Sequence, residues 1–375
     1  VNRQKLALAV LAPAAAAGLA LVVAALALIV TGYSPIDALR AMWTHVDGTD
    51  PLVDIINTAG PYYVSGLAAA IGFKMGLFNI GVEGQYRFGA FWAAAIGAKL
   101  SLPAVIQLPM IILIAVVFGA AWAAIPGVLS VKRNVNVVIS TIMLNSITVA
   151  LISYLLFNYF RYKQSATDLI TRTKPISKAG WMPDLNRPIE ALGFHFPTNT
   201  RLYGYLVLAI IVGIIFYVVV WRTRFGFDLR TSGVNPFAAQ SSGVDPGRMV
   251  IVTMLISGGL AGLVGMGQML SSGHLYGDQF PSGLGFTGIA VALLGRNHPG
   301  GIAVGAFVWA AIETAAIGLS DVGIPQEITR IMQGTLLLSA VIAYEIVRRH
   351  SEAAAIKAAS HATQALEAKP VGVGA

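Results

Sequence analysis

Residues 76–85 read GLFNIGVEGQ and stand between two apolar stretches of a very apolar chain. Asn79, Glu83 and Gln85 place two amides and a carboxylate where hydrocarbon-compatible side chains are the norm. Gly76, Gly81 and Gly84 weaken any helix drawn through them, because glycine loses the most backbone freedom on ordering. Non-helical backbone at membrane depth is tolerated only where protein or a watery cavity satisfies its polar groups. The stretch therefore predicts a kinked or re-entrant segment beside a polar pathway, with Asn79 and Glu83 holding the kink. An intramembrane carboxylate is a functional residue by default. Glu83 and Arg87 are also four apart, the spacing of a helical ion pair. Both readings of Glu83 stand on the sequence alone.

Working outward, the chain is membrane-grade throughout. Its 375 residues are 56% hydrophobic and only 11% charged, where soluble domains carry about 25% charged residues. Several apolar runs approach or exceed the length that crosses a bilayer as a helix. Ten spans are predicted, near 6–31, 53–73, 82–98, 104–129, 135–160, 203–221, 249–270, 286–295, 302–319 and 327–346. The third and especially the eighth are short. The run after Arg3 and Lys5 is longer than a signal-peptide core, which predicts a retained first helix over 6–31. Residues 1–350 read as one membrane domain, with a long external loop at 161–202 and a polar loop at 222–248. The Ala-rich tail 351–375 reads as disordered or as a frayed helix. Gly258/Gly262 and Gly301/Gly305 have the small-xxx-small spacing of close helix packing.

Charge and motif content exclude several classes. No cysteine is present, so thiolate metal sites and cysteine nucleophiles are excluded. There is no G-x-x-x-x-G-K-[ST] for ATP, no H-E-x-x-H and no G-x-S-x-G. No enzyme site is read, and no cofactor or metal is expected in this chain. The net charge of +8 fits cytoplasmic Lys/Arg loops rather than nucleic-acid binding, since no basic run is interleaved with aromatics. An even span count puts both termini on one side. The Lys/Arg balance favours that side as cytoplasmic only when loop 161–202, with seven basic residues, is discounted.

The two halves echo one another. GAFWAAAIGA (89–98) resembles GAFVWAAIETA (305–315), and each follows a Gly-containing polar break. Corresponding interrupted segments in two halves point to a transporter's central pathway. Candidate pathway residues are Asn79, Glu83, Gln85, Trp92, Asn145, Gln268, Trp309 and Glu313. The two tryptophans occupy nearly equivalent places in the echo and also suit plain packing. In the loop 222–248, Asn235 is a good N-cap, Pro236 suits the first helical position, and Gly243 is a natural stop. A short capped helix bearing Phe237 in an Arg-rich loop is built to dock into another protein.

GLFNIGVEGQ, VISTIMLN (138–145), FDLRTSGVNPFAAQSSGV (227–244), SGGLAGLVG (257–265) and GIAVALLGR (288–296) occur in that order. Together they resemble the membrane permeases of ABC importers for nucleosides and simple sugars, over residues 53 to about 346. The intact NIGxEGQ and MLN elements look most like the nucleoside branch. The resemblance implies an all-α polytopic fold of about ten transmembrane helices, in two related half-bundles around a pathway, with short or broken helices near the centre. It implies a second permease, a cytoplasmic ATPase with two nucleotide-binding domains that binds ATP and Mg, and an external substrate-binding lipoprotein. The setting it implies is a bacterial cell membrane, with both termini cytoplasmic and membrane lipids around the chain. It assigns ATPase coupling to a region holding Asp228, Arg230, Asn235, Pro236, Phe237, Ala238, Ala239 and Gly243. One departure is Val137, where the family usually has Glu. A simple-sugar importer is the near alternative, and a secondary transporter coupled through Glu83 and Glu313 is the distant one.

Overall fold

The computed structural model describes residues 18–163, 168–193, 195–197, 200–342 and 349. The expected tail 351–375, the start of the expected helix 6–31 and the end of the last span lie outside the described residues. The chain divides into two compact units, residues 43–315 and the segments that precede and follow them.

In the smaller unit, α1 (Gly18–Val30) turns by 118° into α2 (Pro35–Val46). Thr31 Oγ1 donates back to Ala27 O at 2.8 Å, Gly32 adopts φ +83°, and Ser34 Oγ accepts from Asp37 N–H at 3.3 Å. The left-handed glycine ends one helix and the serine caps the next. The sequence reading places no element at 35–46, so α2 is an addition to it.

In the larger unit, α3 (Thr49–Lys74) is the central helix and packs against six others, α4, α8, α9, α11, α12 and α13. From Val64 to Gly72 every residue is buried. It is followed by α4 (Val82–Gly97), α5 (Ala104–Arg133) and α6 (Val137–Leu155), which runs on as a π-turn to Phe160. Among its described residues, the segment 161–202 holds a 3-10 turn at Lys178–Gly180 and the one-turn α7 (Asn186–Glu190). Then come α8 (Tyr205–Arg222), α9 (Arg224–Val234), α10 (Pro236–Ser241) and α11 (Pro246–Val264), with α12 (Met266–Gln268) continuing it into a π-turn. Next are α13 (Leu284–Leu294) and α14 (Pro299–Ile317). Beyond α14 the smaller unit resumes, with a left-handed Gly323 and then α15 (Ile328–Ile342).

The described residues are almost wholly helical, with two isolated bridges and no strand among them. Among the described residues, five helices are long and apolar enough to cross a membrane, or six if the bent α1–α2 pair counts as one span. The ten predicted spans are therefore not reached by this measure. α4 has 16 residues and α13 only 11, so α13 rises about 17 Å of a hydrocarbon core about 30 Å thick. The chain is a multi-pass membrane protein, nearly all-helical among the described residues, with one half-length helix, α13, and one short helix, α4.

Small residues set the closest packing, between α5 and α11. A Cβ at Gly119 would overlap Gly258 O, and one at Gly262 would overlap Ala115 O. The Gly258/Gly262 pair thus serves backbone contact, in the way such spacing does in bilayers. Gly301 makes the same kind of approach to Gly295 O at the turn between α13 and α14.

Candidate functional site

The stretch 76–85 is the break between α3 and α4. α3 ends in a double turn-back: Gly76 N–H donates to Phe73 O (3.1 Å) and Leu77 N–H to Gly72 O (2.9 Å). Gly76 takes φ +75°, the left-handed residue such an ending requires. Asn79 then closes a polar knot. Its Oδ1 accepts from Gly81 N–H (3.0 Å) and Gln85 Nε2 (3.1 Å). Its Nδ2 donates to Gln85 Oε1 (3.0 Å) and Ser257 Oγ (2.9 Å). Ser257 Oγ in turn donates to Ala68 O at 2.6 Å. One buried amide pair therefore ties together the break, α4, α11 and the middle of α3.

Asn145, on α6, supplies what the start of α4 lacks. Its Oδ1 accepts from Gly84 N–H (2.9 Å), one of the donors that a helix start leaves without an intrahelical partner. Its Nδ2 donates to Ile80 O at 3.0 Å. Gly84 must be glycine for this approach, since a Cβ there would sit 2.7 Å from Asn145 Oδ1.

Glu83 faces neither Arg87 nor an open pathway. Its side chain is 6% exposed. Oε1 accepts from Gly283 N–H (2.9 Å) and Oε2 from Gly285 N–H (3.0 Å), at the start of α13. The Tyr86 hydroxyl stands 3.1 Å from Oε1 and 2.7 Å from Pro281 O. A carboxylate at a helix N-terminus meets unpartnered N–H groups and the positive end of the dipole. The i,i+4 ion pair with Arg87 does not form. The Arg87 guanidinium turns to Tyr276, and its Nε has no partner. Sequence spacing missed this because the partners of Glu83 lie 200 and 202 residues away. A Cβ at Gly285 would overlap the Glu83 backbone, so the glycine there is what lets α13 start against α4.

The remaining pathway candidates do not join this cluster. Trp92 packs among aromatics, stacked on Phe118 at 5.0 Å between centroids, with Phe91 and Phe160 edge-on. Trp309 is buried. Gln268 is exposed on α12, and the exposed Glu313 on α14 accepts from the Tyr62 hydroxyl of α3. Val137, in place of the expected Glu, is a buried first residue of α6 behind its Asn136 N-cap.

The loop 222–248 folds into two helices where one was expected. Thr223 Oγ1 caps α9 through Gly226 N–H at 3.1 Å. Asn235 Oδ1 caps α10 through Ala238 N–H at 3.1 Å, and Pro236 occupies its first position. α10 ends at a left-handed Gly243, with Val244 N–H returning to Ala239 O at 3.0 Å. Leu229 and Ala239 are fully buried and fix the pair to the body. Val234 and Phe237 are 88% and 82% exposed, apolar side chains on the surface of the platform. Asp228 and Arg230 on α9 are half-buried, and Ala238 is exposed. The platform touches the break directly: a Cβ at Gly233 would overlap Lys74 O, and one at Gly76 would stand 3.2 Å from Gly233 O.

A family described as "Branched-chain amino acid transport system / permease component" matches residues 52–341. The chain is similar to the nucleoside ABC transporter permease protein NupB of Lactococcus lactis subsp. cremoris, 31% identical over 95% of this chain and 96% of that one. It is also similar to the guanosine ABC transporter permease protein NupP of Bacillus subtilis, 33% identical over 90% of this chain and 94% of that one. The glucose ABC transporter permease protein TsgB13 of Haloferax volcanii is 32% identical over 88% of this chain and 86% of its own length. With a family match over most of its length and relatives that align nearly end to end, the chain belongs to the permease-component family of branched-chain amino acid transport systems.

Proposed function

We propose that this chain is a permease subunit of an ATP-driven importer and forms part of the translocation pathway for nucleosides. The observation that carries the reading is the near-complete alignment with permeases named for nucleosides and guanosine. The α9–α10 platform supports the coupling half of it. Phe237 and Val234 are placed to enter a groove on a cytoplasmic ATPase, where buried aromatic anchors dominate binding energy. Gly233 lies against Lys74 and Gly76, so a push on α10 reaches the α3–α4 break through backbone contact. The polar knot of Asn79, Gln85 and Ser257 then acts as the fastening around which α3, α4 and α11 shift together.

In this reading Asn79, Glu83, Gln85 and Asn145 position the broken helices rather than touch substrate, and Gln268 and Glu313 are the polar groups left open to a pathway. The partners are a second permease, an ATPase with two nucleotide-binding domains that holds ATP and Mg, and an external lipoprotein. Both termini are cytoplasmic, and α4 and α13 complete a ten-span count as partial spans. The second reading, a simple-sugar importer, is favoured by the glucose permease relative.

Uptake of labelled adenosine, guanosine and uridine by cells with and without the gene tests the substrate. Loss of nucleoside uptake on deletion is the expected result; loss of glucose or ribose uptake instead moves the assignment to sugars. Uptake into proteoliposomes is expected to require the ATPase, and uptake driven by a proton or sodium gradient alone would overturn the reading.

A further inference from the structure

A groove of about 590 Å³ lies between α3, α8 and α14. Its volume falls within the roughly 300–1,000 Å³ of small-ligand sites. Ile56 and Tyr63 of α3, Ile210 and Ile214 of α8, and Ala303 and Phe307 of α14 line it. Ile210, Ile214 and Phe307 are exposed, so the groove opens sideways where a membrane protein meets lipid tails. Along α8 the lining runs from Leu206 to Tyr217, a rise of about 17 Å. That is close to one leaflet of a hydrocarbon core about 30 Å thick.

One end of the groove is polar and basic. Tyr217 and His298 close it, and Trp221 stacks on Tyr217 with centroids 5.8 Å apart. Lys74 Nζ stands 5.4 Å from the Trp221 ring centre, and Arg222 Cζ lies 5.8 Å from that of Tyr217. The His298 ring is 5.2 Å from that of Trp221. Among the described residues, neither Lys74 nor Arg222 forms an ion pair with a carboxylate. Aromatic and basic side chains together mark the membrane–water interface. This end also lies on the face that carries α9, since Gly233 abuts Lys74.

We propose that the groove is a binding site for one acyl chain of an anionic phospholipid, with the headgroup phosphate held by Lys74, Arg222 and His298. Apolar depth of one leaflet fits the chain, and an unpaired basic end fits a negative headgroup. The site joins α3, α8 and α14 beside the α9–α10 platform, so an occupied groove braces the element proposed to receive the ATPase.

The test is native mass spectrometry of the purified full chain carrying equal amounts of phosphatidylglycerol and phosphatidylcholine. Two cations at about fivefold each predict a preference of about 25-fold for phosphatidylglycerol. Lys74→Gln with Arg222→Gln is expected to bring the two lipids to near parity, and Ala303→Phe to remove both by filling the groove. Equal retention of the two lipids by the wild type overturns the headgroup assignment. Unchanged retention by a folded Ala303→Phe chain overturns the site. The chain has no cysteine, so Ala303→Cys offers a single thiol on this chain within the assembled importer. Its crosslinking to the second permease would show a protein helix in the groove and also overturn the proposal.

Discussion

Glu83→Ala removes the acceptor for two backbone N–H groups at once, those of Gly283 and Gly285. Hydrogen bonds to a charged group contribute about 1.5–3 kcal/mol each, and a donor left buried and unpartnered carries its full desolvation cost. The anion at a partly buried helix terminus adds up to about 2 kcal/mol. Some relaxation of α13 offsets part of this, so the expected loss is about 4 kcal/mol, nearly a thousandfold in the folded ratio. Glu83→Gln keeps one acceptor and turns an NH₂ toward the other donor, for a loss of about 2 kcal/mol. Arg87→Ala touches no bond of Glu83 and removes only the contact with Tyr276, so it is expected to cost about 1 kcal/mol, well short of Glu83→Ala. The exchange Glu83→Arg with Arg87→Glu separates these ideas most sharply. An i,i+4 ion pair would survive it, whereas a guanidinium against the positive end of α13 is expected to be worse than alanine. The assay is denaturant unfolding of the purified full chain in detergent micelles. A Glu83→Ala chain as stable as wild type, or a charge exchange more stable than Glu83→Ala, refutes the capping argument.

Three further outcomes are expected. Asn145→Leu leaves Gly84 N–H and Ile80 O without their partner and is expected to cost about 2–4 kcal/mol in the same unfolding assay; an unchanged midpoint refutes the capping role of Asn145. Phe237→Ala is expected to weaken ATPase co-purification about thirtyfold while the permease still inserts and folds. Asn235→Ala is expected to act in the same direction but less, near the ~1 kcal/mol of a lost N-cap; wild-type uptake by Phe237→Ala would show that α10 is not the coupling element. Gly285→Ala places a methyl on the Glu83 backbone. It is expected to destabilise as much as Glu83→Ala does, and a neutral result would mean that α4 and α13 are not held in contact.

Local chemistry made much of the fold legible. The break at 76–85 is readable because glycines and amides stand out in apolar sequence, and the structure puts a helix end and a helix start there. α10 is readable to its ends because Asn235, Pro236 and Gly243 are short-range signals whose partners lie within a turn. The partner of Glu83 was not readable. Helical spacing offers Arg87 at four residues, and nothing in a linear pattern reveals two glycine N–H groups 200 residues on. α9 was missed because its polar face resembles loop sequence, and its anchors are the single buried Leu229 and backbone contacts at Gly226 and Gly233 rather than an apolar stripe.

The same distinction bears on what the polar residues do. A buried polar group is tolerated when its bonds are complete, and Asn79 and Glu83 are fully engaged with protein groups. A residue spent on such bonds has little left to offer a passing solute. Gln268 and Glu313 differ: they are exposed, and Glu313 receives a single bond from Tyr62. If nucleosides pass along this chain, hydroxyl and amide contacts belong to such open groups, while the interrupted segment that first draws the eye serves to start two short helices, α4 and α13, against each other. Substitution at Glu313 should therefore alter uptake with the chain still stable, whereas substitution at Glu83 should alter stability first. Equal stability with lost uptake for Glu83→Gln, or the reverse order for Glu313→Gln, would contradict this assignment.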